Sequence, residues 1–267
     1  MFFVIQYVGM LKFDSLNFNM GFFMSNKLIV ANWKMNGDFE KVKSDLCLYA
    51  NNAFTNQVNV VLALPYLYLI SAKYDLLSKS NIKISAQNVS VYENNGAYTG
   101  EVSASMLKDL DVDYAIIGHS ERRHLMGESS DVIIQKMKNL GKNLITPIFC
   151  VGEQLDVRES GKYLQFIESQ LKELSGIDVN NIVIAYEPCW SIGTGKIPTL
   201  LEIEEVVGYI HQYVQKHFNY VKISVLYGGS VTGDNASDIL TISGVDGVLV
   251  GGASLKTGDF INICASV

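Results

Sequence analysis

Residues 182–198 read IVIAYEPCWSIGTGKIP, and the rest of the chain can be read outward from them. The stretch opens on the apolar run Ile182–Ala185. A run without polar alternation suits a strand covered on both faces, as in a parallel sheet flanked by helices. Glu187 stands where that strand should end, and Pro188, which has no N–H to give, stops the ladder. Trp190 and Ile192 then put apolar bulk on what should be a loop. Gly193 and Gly195 give that loop backbone freedom, and Pro198 closes it. Two readings fit: an ordinary strand-to-helix connection, or a stiff apolar flap set beside a carboxylate. A flap that excludes water is expected to raise the basicity of Glu187.

Similar runs recur along the chain at Leu28–Ala31, Val58–Leu64, Ile82–Ala86, Tyr114–Ile117, Leu144–Val151, Ile223–Leu226 and Val248–Val250. Amphipathic stretches lie between them. Phe39, Val42, Leu46, Tyr49 and Ala53 share one helical face, as do Ile203, Val206, Val207, Ile210, Val214 and Phe218. Thr199 and Glu202 have the spacing of a capping box ahead of the second of these helices. Ser130 or Asp131 is expected to start a helix that ends at Gly141, and Asp234 to cap a short helix through Ile239 and Leu240. Roughly eight strand–helix units in about 240 residues is the rhythm of a closed (β/α)₈ barrel, an α/β fold with a parallel sheet inside and helices outside. An open doubly wound sheet is the competitor, but no G-x-G-x-x-G follows the first strand.

No low-complexity linker divides residues 27–267, which read as one barrel domain. Residues 1–26, MFFVIQYVGMLKFDSLNFNMGFFMSN, stand apart as an N-terminal extension. They fit neither a signal peptide nor a mitochondrial presequence, and read as a disordered extension or an over-called start site ahead of Met24. The net charge of -6, with no Lys/Arg run, argues against a nucleic-acid partner. It leaves room for an anionic substrate, because backbone amides and one or two lysines bind phosphate locally. Cys47, Cys150, Cys189 and Cys264 form no C-x-x-C, which points to free thiols, no zinc and a reducing, cytoplasmic location. No apolar run approaches the ~20 residues of a membrane span.

Active sites of such barrels lie at the carboxyl ends of the strands. Asn32, Trp33 and Lys34 end strand 1; Gly118, His119, Ser120 and Glu121 end strand 4; Glu187 ends strand 6. Tyr227, Gly228, Gly229 and Ser230 end strand 7, and Gly251, Gly252, Ala253 and Ser254 end strand 8. Taken singly, the lysine could be a solvated side chain, the histidine a structural one and the glycine pairs simple turns. Together they bring a lysine, a histidine and a glutamate to one mouth opposite two glycine turns, and turns after the last two strands are where such barrels often hold phosphate.

The strings ANWKMNG (31–37), SAQNV (85–89), GAYTGE (96–101), IIGHSERR (116–123), AYEPCWSIGTGK (185–196), YGGSV (227–231) and LVGGASL (249–255) resemble the triosephosphate isomerases, in family order across nearly the whole barrel. The resemblance implies interconversion of dihydroxyacetone phosphate and D-glyceraldehyde 3-phosphate through an enediol(ate), a step of glycolysis and gluconeogenesis. It implies Glu187 as base, His119 as a neutral electrophile, Lys34 as positive charge near the oxyanion and phosphate, and Asn32 as a hydrogen-bond donor. Glu121 would hold Lys34. Phosphate would meet the N–H groups of Gly193, Ser230, Gly251 and Gly252. A lid running from Trp190 to Lys196, with Ile192, Gly193, Thr194 and Gly195 between them, would close over it, held by Tyr227 and Ser230. Gln87, Asn88 and the loop around Thr99 imply a homodimer in which Thr99 reaches the partner's site. Protons move without net redox, so the implied cofactor is none and the implied metal is none.

Two positions depart from the family pattern. Pro198 stands at the far hinge and restricts Ile197, which is expected to alter lid kinetics. Cys189 stands at the near hinge, where its thiol is expected to make turnover sensitive to alkylation and oxidation. Two alternatives compete with the family: another phosphate-binding barrel enzyme, which has no reason to carry these strings, and a catalytically silent barrel kept for binding, against which the intact Asn32, Lys34, His119 and Glu187 set speaks.

Overall fold

The computed structural model describes residues 26–52, 54–76, 80–179, 181–192, 194, 196–218 and 222–267. The reading of residues 1–26 therefore falls, but for Asn26, outside the described residues, as does Ala53. Among the described residues, eight strands run β1 (Lys27–Asn32), β2 (Val58–Leu64), β3 (Lys83–Ala86), β4 (Tyr114–Ile117), β5 (Thr146–Val151), β6 (Asn181–Tyr186), β7 (Lys222–Tyr227) and β8 (Gly247–Val250). All pair in parallel with their neighbours in sequence, and β8 closes on β1 with Ile29 opposite Val248. This is a single closed (β/α)₈ barrel. The helices are α1 (Phe39–Ala50), α2 (Tyr66–Ser71), α3 (Ala104–Asp109), α4 (Ser120–His124), α5 (Ser130–Lys142), α6 (Leu155–Glu159), α7 (Tyr163–Leu171), α8 (Leu200–His217), α9 (Ala236–Thr241) and α10 (Thr257–Cys264).

The strands are mostly apolar because they serve two cores. Leu28, Val30, Val61, Ala63, Ile116, Ile148, Cys150, Val183, Ala185, Leu226 and Leu249 pack together inside the barrel. The alternate residues, among them Ile29, Leu62, Ile117, Phe149 and Ile184, pack outward against helices. That two-sided burial, with side chains alternating along each strand, is why no polar alternation marks them in the sequence. In α8 the expected face of Ile203, Val206, Val207, Ile210 and Val214 is buried, and the Thr199–Glu202 capping box forms. Among the described residues, no helix is long and apolar enough to cross a membrane.

Local expectations fail where a single turn decides. β5 starts at Thr146 rather than Leu144, because Leu144 adopts φ 56° and is 76% exposed at the end of α5. Ser129 caps α5, which runs one residue past Gly141. Phe39 is exposed at the start of α1, since a first-turn residue lies off the barrel wall. Asp234 does not cap α9; Asn235 occupies the cap position and turns its Oδ1 back to accept the N–H of Thr232.

Candidate active site

The inward register of the strands carries on past their ends. Leu28 and Val30 point into the barrel, so the next residue of that parity is Asn32. By the same step Val183 and Ala185 lead to Glu187, Leu226 to Gly228 and Leu249 to Gly251. The barrel mouth thus receives a carboxylate and an amide, with glycines leaving space beside them. The result is a cleft of about 290 Å³ lined by Asn32, Lys34, His119, Glu187, Ile192, Ser230, Gly251 and Gly252, among others. Gly228 is needed there: a Cβ on it would stand 3.1 Å from Glu187 Cγ and 3.3 Å from the Tyr186 carbonyl oxygen.

Glu187 is 2% exposed. Its Oε1 lies 3.0 Å from His119 Nε2, and its Oε2 accepts the N–H of Ser120 at 2.9 Å. His119 is the N-cap residue of α4, and its Nδ1 accepts the N–H of Glu121 at 3.2 Å. An accepting Nδ1 carries no proton, so in the neutral ring the hydrogen sits on Nε2 and is donated to Glu187. Burial pushes the Glu187 carboxyl up, but His119 and the N–H of Ser120 outweigh it, and the group is held below its ordinary value. Burial pushes His119 down, and the Glu187 carboxylate pulls it up by more. The expectation that water exclusion raises the basicity of Glu187 therefore fails in this arrangement: its bonding partners win.

Lys34 adopts φ 50°, a left-handed conformation that an L side chain disfavours by about 1–2 kcal/mol. The Asn32 side chain steadies it, accepting the N–H of Lys34 at 3.0 Å. The turn directs the lysine stem over strand 8, where its Cε lies 3.4 Å from an ideal Cβ built on Gly251. Its Nζ is ion-paired with Glu121. Both partners are partly exposed, so the pair orients the lysine more than it stabilises the fold.

The 188–198 stretch is tied down at its near end. Trp190 Nε1 donates to Glu153 Oε1 at 2.9 Å, Tyr186 donates to the same oxygen at 3.1 Å, and Ser230 Oγ donates to the Ser191 carbonyl at 2.8 Å. Thr194 Oγ1 donates to the Trp190 carbonyl and accepts the N–H of exposed Lys196. Gly193 and Gly195 lie outside the described residues. Burial, joined by the charges of Glu187 and Glu153, pushes the Cys189 thiol up to about 12. So protonated a thiol is a poor nucleophile, which runs against the expectation of a reactive hinge cysteine.

Glu153 was missed by sequence reasoning: it lies two residues past β5, of the outward parity where Glu187 is inward, and it is fully buried. The signal was a carboxylate just past a strand end. Tyr227 is buried beneath Gly229, not on the cleft wall. Thr99 sits apart, on an exposed loop among exposed Tyr92, Gly96 and Tyr98.

Fold and cleft define a (β/α)₈-barrel enzyme with a carboxylate, an imidazole and an ammonium gathered at the carboxyl ends of its strands. Within that class, the chain belongs to the triosephosphate isomerase family. The family description "Triosephosphate isomerase" matches residues 27–267. Relatives named triosephosphate isomerase include those of Orientia tsutsugamushi (strain Ikeda), 43% identical over 90% of this chain and 97% of the relative. The Neisseria meningitidis protein is 42% identical over 90% of this chain and 97% of its own length, and the Alkaliphilus metalliredigens protein 41% identical over 90% and 99%.

Proposed function

We propose that this enzyme interconverts dihydroxyacetone phosphate and D-glyceraldehyde 3-phosphate by proton transfer through an enediol(ate), as its family membership indicates. The observation that carries the residue roles is the direct bond between His119 Nε2 and Glu187 Oε1 at the mouth of the cleft. In this arrangement the base and the electrophile occupy each other. A substrate carbonyl oxygen placed at Nε2 takes the hydrogen now given to Glu187. That leaves the carboxylate without its strongest donor, which raises its basicity when the α-carbon proton is at hand. Glu187 then abstracts that proton, Nε2–H stabilises the developing oxyanion and hands it a proton while the ring takes one from the neighbouring hydroxyl, and Glu187 returns the carbon proton to the neighbouring carbon. Lys34 and Asn32 add charge and a hydrogen bond beside the oxygen, with Glu121 holding the lysine. The amides of Gly193, Ser230, Gly251 and Gly252 take the phosphate, and residues Trp190 to Lys196 cover it. A covered site also keeps water from the enediolate phosphate, which otherwise eliminates phosphate.

The test is initial isomerisation of glyceraldehyde 3-phosphate, coupled to NADH-consuming reduction of the ketone formed, with Glu187→Gln beside the unmodified chain. Fast turnover that drops by several powers of ten in the variant is expected. Equal rates in two folded proteins would remove Glu187 as the base.

We further infer a homodimer in the cytoplasm. Supporting the dimer, Met35 in the loop after β1 is 96% exposed and Leu67 on α2 is 86% exposed, with Tyr68 of α2 donating to the Gly37 carbonyl of that same loop. This apolar surface, with the Thr99 loop, is suited to a second copy. Sedimentation as a monomer at micromolar concentration would refute it. Supporting the location, Cys47, Cys150, Cys189 and Cys264 are all free thiols.

A further inference from the structure

Arg123, on α4, holds both peptides that flank His119. Its backbone N–H donates to the His119 carbonyl at 3.0 Å, and its side-chain Nε donates to the Gly118 carbonyl at 2.9 Å. Nη2 donates to the Cys150 carbonyl at 3.3 Å, so the guanidinium also ties the turn after β4 to β5, just past the point where their register stops at Ile117 opposite Phe149. The plane of the guanidinium is fixed from behind. Nη1 and Nη2 each donate to one oxygen of Glu173 at 3.0 Å, and the Phe149 ring lies 5.6 Å away. Glu173 Oε1 also accepts the Ser130 hydroxyl at 2.6 Å. The Arg123 and Glu173 side chains are 12% and 5% exposed, so water does little to loosen the fork. Gly118 completes the fit: it adopts φ 64°, and a Cβ on it would stand 3.0 Å from Arg123 Nη2.

Arg123 lies outside the set of residues that line the cleft. What it grips is the backbone from which the His119 imidazole is aimed at Glu187 Oε1, 3.0 Å away. A buried ion pair that only braced the fold would need no carbonyl acceptors, and apolar side chains of similar volume often stabilise as well. The planar fork of arginine meets two carbonyls and a carboxylate at once, which the point charge of a lysine cannot do. We propose that Arg123 is a positioning residue for the isomerisation: it sets the two peptides on either side of His119, and through them the direction in which Nε2 presents its hydrogen. This rests on the isomerase reading above.

Arg123→Lys keeps a charge for Glu173 and loses the fork. Its kcat should fall on the order of 10-fold with KM within about 2-fold, because a few tenths of an ångström at the electrophile costs rate while the phosphate contacts stay in place. The double variant Arg123→Met with Glu173→Met removes both charges together and keeps apolar bulk, so it should fold and show a similar loss of kcat. Proton NMR of the histidine ring N–H groups, without ligand, should show the His119 Nε2–H resonance displaced in both variants, a signature that lowered stability alone does not produce. An unchanged kcat, an unmoved Nε2–H resonance, or a raised KM with kcat intact in a folded variant would each overturn the proposal and leave Arg123 a brace. No turnover by the unmodified chain would overturn the isomerase reading, and this proposal with it. An active unmodified chain beside equally active variants would overturn this proposal alone.

Discussion

Replacing Gly228 by alanine tests how closely the fold holds Glu187. Gly228 follows β7, and its φ is not in the left-handed region, so alanine is compatible with the backbone there. The added methyl would stand 3.1 Å from Glu187 Cγ and 3.3 Å from the Tyr186 carbonyl oxygen. The carbonyl belongs to β6 and accepts the N–H of Gly228 itself at 2.7 Å, so it gives little. The carboxylate arm must yield, by a few tenths of an ångström. A misplacement of about 1 Å in a reacting group costs on the order of a hundredfold in rate, so a shift of this size should cost about 3- to 10-fold in kcat. Overpacking should lower stability by about 1–3 kcal/mol. The assay is the coupled isomerisation, with kcat and KM separated and denaturant unfolding run alongside. Gly258→Ala, on α10 with nothing within 4 Å of its ideal Cβ, serves as the control and should leave kcat unchanged. A Gly228→Ala protein with wild-type kcat would refute the claim that this contact positions Glu187. A thousandfold loss would refute it too, because displacement of this size cannot produce one.

The remaining predictions concern ionisation. Because the Glu187 carboxyl sits below its ordinary value when folded, its contribution to stability is complete above the unfolded carboxylate range, about 4.3, and drains away as pH falls through the lower folded value. Urea unfolding between pH 3 and pH 7 should therefore show a steeper acid loss for the unmodified chain than for Glu187→Gln, and parallel curves would contradict the assignment. With its thiol near 12, Cys189 should escape iodoacetamide at pH 8 in the folded protein yet react once the chain is unfolded, as peptide mass would show. Rapid modification in the folded state would show that the hinge opens far more than the structure implies.

Residue order alone settled the architecture. Eight two-sided apolar runs with helical patterns between them leave few alternatives to a closed parallel barrel, because burial on both faces is a property of each strand and is written in it. The mouth residues were legible for a related reason. Where a strand must end, a polar residue of inward parity has nowhere to point but the mouth, and Asn32 and Glu187 could be picked out that way. The motif strings then assigned roles to His119, Lys34 and the glycine turns, which periodicity could not have done. The reactivity of the near-hinge cysteine is not written in its local sequence, because it depends on neighbours remote in sequence: burial, Glu187 and Glu153 push the thiol up.

What only the tertiary structure decided is how these groups stand toward one another. No pattern says that His119 donates to Glu187, that the Glu121 amide fixes the tautomer of His119, or that Glu153 anchors Trp190. Nor does any pattern put the Arg123 guanidinium against the carbonyls of Gly118 and Cys150. The physical reason is one of range. Strand and helix patterns record the environment of each residue, in or out, averaged along the chain. A hydrogen bond or a pKa depends on a few tenths of an ångström between atoms that barrel closure brings together from far apart in sequence.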